Sequence, residues 1–415
     1  MVKREVDFDS SRPSFRFILK KLNGSQLSDK EIETIISDMD SGFLSETDIA
    51  YFVSSISKHG MTFSETKSLT KALAHSGKVM NWSSKIIADK HCVGGIPGNR
   101  TTPIVVAICA AAGLKMPKTS SRSITSAAGT ADTIEVMANV SLSVDKIKKV
   151  VDKTGACMVW GGSLGLAPAD ERLLEIERKM NMDPGPQIIA SILSKKLAAG
   201  STHILIDIPV GPGAKFSKSQ GKSFSKLFYK IARSFKVKLE IVFTDGSQPI
   251  GKGIGPTLEM IDVLKVLKQE EKIKDLEEKS LFLAGKILEM TGKERKGKGY
   301  SKAMEILYSG KALDKFNEIL KEQGLLKNPK IHSGKYSYSI LANKNIKIRS
   351  WHNKELNNLA KVLGCPNIKT AGVLIHGHNR DKIRKGSPIF TMYSDDKVKL
   401  INGKKFLKEN KVVSF

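Results

Sequence analysis

The sequence predicts an α/β protein on three observations: a helical stretch at the start, short apolar strands alternating with helices through the middle, and strand-like alternation towards the end. From Ser14 to about Ser76 the runs FRFILKKLNG, SDKEIETIISDMDSG, SETDIAYFVSSISKHG and FSETKSLTKALAHSG have helical apolar spacing. Three of them open at or beside a serine that can cap a helix, and each closes near a glycine. In the middle, KIIADKH, CMVWGG, HILIDIPV and KLEIVFT read as buried strands, with helical segments such as PIVVAICAAAGL between them. The lysine-rich TGKERKGKGYSK reads as an exposed loop between two helices. Beyond about Pro329, KYSYSILANKNIKIRSW and IFTMYSDDKVKLINGKKF alternate as strands do, which predicts a strand-rich C-terminal α+β unit.

At 415 residues the chain exceeds a comfortable single core, and 40% hydrophobic with 27% charged residues is globular composition. No apolar run approaches the roughly 20 residues of a membrane crossing. The opening MVKREVDFDSSRP lacks the apolar stretch of a secretory signal, so a cytoplasmic protein is expected. Cys92, Cys109, Cys157 and Cys365 are scattered and read as free thiols. His376 and His378 could share a strand face, but nothing near them completes a zinc set, and exposed strand histidines are expected.

The net charge of +26 invites a nucleic-acid reading. The excess is dispersed lysine, aromatics are 6%, and no recognition-helix, zinc-finger or RNP-like pattern is present. Dedicated nucleic-acid binding is therefore not expected; the field suits capture of small anions.

Three segments carry chemistry. In ADKHCVGGIPGNRTTPIVVAICAAAGL, Gly94, Gly95 and Gly98 let backbone N–H groups approach an anion, with Thr102 and Pro103 as helix cap and first turn, and Lys90 and His91 at the loop mouth. KTSSRSITSAAGT is a dense run of hydroxyls ahead of a helix near Ala131, a second surface compatible with an anion. From Leu166 to Lys215 come LAPAD, Arg178, Asp183 ahead of Pro184, and a helix whose Ser191 and Lys195 share one face. Asp183 equally suits a helix cap or tight turn, and Lys215, after Gly211 and Gly213, suits either an anion contact or plain solvent exposure.

DKHCVGGIPGN, KTSSRSITSAAGTAD, LAPAD, ASILSKK and IDIPVGPGAK, in this order, resemble the thymidine and pyrimidine-nucleoside phosphorylase family, in the branch of archaeal AMP phosphorylase and bacterial thymidine phosphorylases. The resemblance runs from about Arg12 to the C-terminus. It implies a small helical domain and a larger α/β domain flanking a cleft, which divides the chain into helical parts at 1–77 and 163–200, α/β parts at 78–162 and 201–328, and an α+β unit at 329–415. It puts Lys90, Cys92, Thr102, Ser120 and Thr130 at phosphate positions, and His91, Arg178, Ser191 and Lys195 at base and sugar positions. By the AMP-cleaving branch, Gly95, Ser121, Arg122, Ser123, Ile124, Thr125, Ser126, Thr130, Ser191 and Lys215 would be ligand positions, with Asp183 as proton donor. Cys92 departs from the serine common in the family and substitutes a weak donor for a good one. The chain also lacks the extra N-terminal domain of the archaeal enzymes, so the assemblies attributed to it are not expected.

The implied reaction is phosphorolysis of an N-glycosidic bond, with inorganic phosphate as co-substrate, no cofactor or metal, and a homodimer as the assembly. It needs a positioned anion and a hydrogen bond or proton for the leaving base. Asp183 or His91 would assist the base, and Asp183 in that role needs burial. A nucleoside monophosphate is the expected substrate and a pyrimidine nucleoside the alternative. A Mg²⁺-dependent phosphoribosyltransferase of the anthranilate type and a nucleic-acid-binding protein are the rival classes.

Overall fold

The computed structural model describes residues 13–123 and 126–415. The chain opens with four helices, α1 (Pro13–Leu22), α2 (Asp29–Asp40), α3 (Glu46–His59) and α4 (Phe63–His75). Ser28, Ser45 and Thr62 cap α2, α3 and α4, each in a reciprocal capping box with the third helical residue. The serine expected at the start of α4 lies inside the helix; Thr62 takes the cap because Glu65 sits three residues on. Gly24, Gly42 and Gly60 follow the first three helices with positive φ.

An α/β stretch follows: β1 (Ala88–Cys92), α5 (Thr101–Ala111), β2 (Met116–Ser120), α6 (Thr130–Ile134), α7 (Val144–Thr154) and β3 (Ala156–Trp160). Then come α8 (Pro168–Met180) and α9 (Gly185–Ala198), and after them β4 (His203–Val210), α10 (Lys218–Ser234), β5 (Lys238–Asp245), the short β6 (Gly253–Ile254), α11 (Pro256–Lys268), α12 (Lys274–Met290), α13 (Gly299–Tyr308) and α14 (Lys311–Gly324). The C-terminal part holds β7 (Tyr336–Leu341), β8 (Ile346–Lys347), β9 (Ser350–Trp351), α15 (Asn353–Val362), β10 (Gly372–Ile375), β11 (Lys382–Ile383), β12 (Pro388–Ser394), α16 (Lys397–Glu409) and β13 (Val413–Ser414).

Two compact units result. One takes residues 1–81, 165–200 and 226–236; the other takes 82–164, 201–225 and 237–415. The first is a helical bundle in which α8 and α9 pack with α1–α4 around Ile32, Ile35, Ile36, Met39, Phe52, Leu69 and Leu173. A buried Lys21–Glu65 ion pair at 2.7 Å lies within it, and Glu65 also accepts the Leu27 N–H.

The second unit is built on parallel strands. β1 pairs with β4 and β4 with β5, while β2 pairs with β3. A parallel bridge from Ile87 to Lys115 joins the two sets, giving the order β5-β4-β1-β2-β3. All five carboxyl ends therefore emerge on one side, and the order reverses between β1 and β4, where ligands bind in open parallel sheets. The apolar α5 packs in this core with α12 and α14. The C-terminal part has its own core around Trp351, Leu356, Leu359, Phe390 and Met392.

The second half of the run expected as strand, DDKVKLINGKKF, is helical in α16. Asp396 caps it by accepting the Val398 and Lys399 N–H groups, and Gly403 lets Leu363 and Met392 pack close. His376 and His378 lie beyond β10 rather than on it; His376 is exposed and meets Thr391 at 2.9 Å, while His378 is partly buried 3.1 Å from Asp275. Among the described residues, no helix is long and apolar enough to cross a membrane.

Candidate active site

The loop from Val93 to Arg100 leaves the end of β1 and enters α5 at Thr101. Gly98, with φ of 67°, makes this path possible: a side chain there would lie 2.3 Å from the Ile250 carbonyl. The approach is used, since the Asn99 N–H donates to the Ile250 carbonyl at 2.8 Å. Thr102 is not the helix cap. Helix α5 starts at Thr101, its cap residue is Arg100, and among the described residues no side chain caps it; a helix start of this kind suits an anion.

Lys90 is not at the loop mouth but inside, 1% exposed, with Nζ donating to Thr101 Oγ1 at 2.9 Å and lying 3.5 Å from Thr102 Oγ1. Burial pushes its pKa down, against the pull of the Asp207 carboxylate. Asp207 on β4 pairs in register with Cys92; it accepts from Thr244 Oγ1 at 2.6 Å and lies 3.1 Å from Lys279 Nζ. Against burial, Lys279 and Lys90 hold its carboxyl below the usual range. Cys92 accepts from Asn99 Nδ2 at 3.4 Å, and burial together with Asp207 pushes its thiol up to about 11. At neutral pH this is a thiol. Ser120 ends β2, and its buried Oγ has no hydrogen-bond partner among the described residues; the same holds for Asn99 Oδ1. Unpaired buried polar atoms of this kind are stable when water or a ligand completes them.

Arg100 ties this loop to the second one. Its Nε donates to Glu259 on α11 at 2.7 Å, Nη1 to Thr130 Oγ1 at 2.8 Å and Nη2 to the Ala128 carbonyl at 2.8 Å. The second loop, between β2 and α6, folds around Asp132, whose Oδ2 accepts the Ser123 N–H at 2.7 Å and the Gly129 N–H at 2.8 Å. Gly129 has no room for a side chain, which would meet the Ser121 carbonyl at 2.5 Å. Ser121 is exposed; Ser123 Oγ donates to the Ser126 carbonyl, and Ser126 Oγ to the Ala128 carbonyl. Arg122 is committed to Glu135 at 2.6 Å and Asp132 at 3.2 Å and stacks on Trp160. Ile124 and Thr125 lie outside the described residues.

Gly95, in the first loop, offers its carbonyl to Asn357 Nδ2 at 2.7 Å. His91 is partly buried on β1. Lys215 is exposed on the turn after β4, which contains the positive-φ Gly211 and Gly213. This turn stands at the strand reversal, beside the loop that leaves β1.

In the helical unit, Ser191 and Lys195 of α9 do share a face, and both reach Asp170 of α8. Ser191 Oγ donates at 2.8 Å, and Lys195 Nζ lies 2.9 Å from the same Oδ2. Against burial, Asp170 and Glu171 raise the Lys195 pKa. Arg178 is exposed and donates to the Leu174 carbonyl at 3.1 Å. Asp183 is exposed ahead of Pro184 and does not cap α9, whose cap residue is Pro184; the burial expected of a carboxylic-acid donor is not found there.

Sequence reasoning passed over Arg100, Asp170, Asp207 and Lys279. Asp170 stood in the LAPAD motif and Asp207 in IDIPVGPGAK, each without an assigned role, and Arg100 followed the glycine loop directly; Lys279 carried no local signal.

Residues 16–77 match the glycosyl transferase family's helical bundle domain and residues 84–313 its a/b domain, and the chain belongs to that family. Within it, the chain falls in the branch of proteins named thymidine phosphorylase and AMP phosphorylase. It is 45% identical to a Ralstonia nicotianae protein named "Putative thymidine phosphorylase", over 92% of this chain and 75% of that one. It is 43% identical to AMP phosphorylase of Pyrococcus furiosus, over 93% of this chain and 78% of that one. The crystal structure of anthranilate phosphoribosyltransferase from Thermus thermophilus has the same fold, with a TM-score of 0.63 at 17% identity over 74% of this chain and 99% of that one.

Proposed function

We propose that this enzyme cleaves the N-glycosidic bond of nucleoside 5′-monophosphates with inorganic phosphate, releasing free base and ribose 1,5-bisphosphate. The observation that carries the reading is the pair of turns at the strand reversal: a glycine loop backed by buried Lys90, and beside it a glycine turn bearing the exposed Lys215. The first suits inorganic phosphate and the second a substrate phosphate. Likeness to an AMP phosphorylase supports the same assignment.

In the proposed reaction a phosphate oxygen bonds to C1′ as the C1′–N bond breaks, and its electron pair leaves with the base. Lys90, Thr102, Ser120 and the start of α5 hold the phosphate. Ser191, Lys195 and Arg178 bind base and sugar, and His91 supplies the proton or hydrogen bond to the base; Asp183, exposed here, takes that role only if bound substrate buries it. Phosphate is the only co-reactant the chemistry requires, and no metal takes part.

A second reading is phosphorolysis of a pyrimidine nucleoside such as thymidine or uridine; the names of several relatives support it for thymidine. The deciding experiment measures base release from AMP, CMP, UMP, thymidine and uridine in EDTA, with and without phosphate. Phosphate-dependent release from the monophosphates is expected. Release from thymidine or uridine alone establishes the second reading, and dependence on Mg²⁺ and a diphosphate would move the enzyme to phosphoribosyl transfer.

A further inference from the structure

Helix α15 belongs to the C-terminal α+β part, yet two of its side chains reach the loops at the carboxyl ends of the parallel strands. Asn357 Nδ2 donates to the Gly95 carbonyl in the loop after β1, at 2.7 Å, and its Oδ1 accepts the Ala127 N–H in the loop after β2, at 3.1 Å. One turn earlier on the same face, Asn353 Nδ2 donates to the Gly246 carbonyl after β5 at 2.9 Å and lies 3.4 Å from the Gly213 carbonyl after β4. Both side chains are buried, at 3% and 2% exposure. Leu356, Leu359 and Ala360 anchor α15 in the C-terminal core.

Irregular loops leave backbone carbonyls and N–H groups that cannot pair among themselves, and burying them requires outside partners. A carboxamide is suited to this because one group supplies both donor and acceptor, and the orientation of Asn357 is fixed by having one of each to satisfy, whereas Asn353 braces through its Nδ2 donor alone, its buried Oδ1 having no hydrogen-bond partner among the described residues. It also carries no charge, so it steadies the loops without competing for an anion as lysine would.

We propose that Asn357 and Asn353 are positioning residues that set the geometry of the two anion-binding regions, Asn357 for inorganic phosphate and Asn353 for the substrate phosphate. The assignment of the two anions rests on the phosphorolysis reading; the bracing itself does not.

The test compares full-length wild type with Asn357→Leu, Asn357→Asp and Asn353→Leu, by steady-state kinetics and by amide hydrogen exchange. Asn357→Leu should raise the KM for phosphate about tenfold, the worth of a lost buried hydrogen bond or two, with kcat changed less. Exchange should quicken in both the 93–99 and 126–129 segments. Asn357→Asp keeps the acceptor for Ala127 but loses the donor for Gly95, so exchange should quicken in the 93–99 segment alone. Asn353→Leu should raise the KM for the monophosphate and leave that for phosphate unchanged. Lowered melting temperatures with unchanged KM values, or exchange that quickens evenly over the whole unit, would overturn the proposal. If wild type releases no base with phosphate, the phosphorolysis reading fails, while the segmental pattern of exchange still decides whether the two asparagines brace the loops.

Discussion

Arg100 and Glu259 are joined at 2.7 Å across 159 positions of sequence, and both are buried. The guanidinium uses three nitrogens on three partners at once, which a lysine cannot reproduce. Arg100→Lys is expected to leave the Thr130 or the Ala128 bond unmade. Arg100→Ala also strands a buried carboxylate and should cost about 3–5 kcal/mol in urea unfolding.

Asp170 holds Ser191 and Lys195 in one arrangement. Asp170→Asn keeps an acceptor for Ser191 but removes the charge facing Lys195. On the proposed function, the KM for nucleotide should rise about tenfold and the KM for phosphate should stay within error. Equal changes in both constants would mean that Asp170 acts on the whole fold rather than on the nucleotide side.

Cys92 should be unreactive. With its thiol pushed up to about 11 by burial and Asp207, the reactive thiolate is scarce at pH 7.5, and intact-mass measurement after brief iodoacetamide treatment should find it unmodified. Cys92→Ser restores a strong hydroxyl donor and is expected to lower the KM for phosphate severalfold.

Glu135 makes acid stability measurable at one site. Hydrogen bonding to Arg122, reinforced by Lys369, holds its carboxyl at about 2, below the ordinary 4.5. Because the folded value is the lower one, its contribution is present above about 4.5 and is lost as pH falls towards 2. Solvent screens this partly exposed group, so Glu135→Gln should cost about 1 kcal/mol at pH 6. The gap between variant and wild type should close between pH 4.5 and 2 in urea titrations.

The parts of the site that were legible in the sequence are local ones. The glycine loop between β1 and α5, the hydroxyl run before α6 and the shared face of Ser191 and Lys195 depend on spacing along the chain, which a sequence displays directly. Arg100 to Glu259, Asp207 to Lys279 and Asn357 to Gly95 depend on how distant segments meet, and no spacing announces them. The depth of Lys90 escaped notice for the same reason: a lysine beside a glycine loop looks solvent-bound until Thr101 and Asp207 are seen around it. The α16 segment was misread because Lys-Val-Lys-Leu-Ile alternates over a few residues as a strand does. The Asp396 cap and the packing of Gly403 under Leu363 decided for helix.

The interleaving of the two units bears on how the protein can be made. The helices α1–α4 emerge from the ribosome first, but α8 and α9, which complete their shared core, are translated only after the strands, loops and helices from β1 to β3. During that interval Phe52, Leu69 and Ile36 have an unfinished interior. Slowed translation between α4 and α8 should therefore favour capture by chaperones, and a fragment ending at residue 164 should be prone to aggregate, because the bundle lacks α8, α9 and the end of α10.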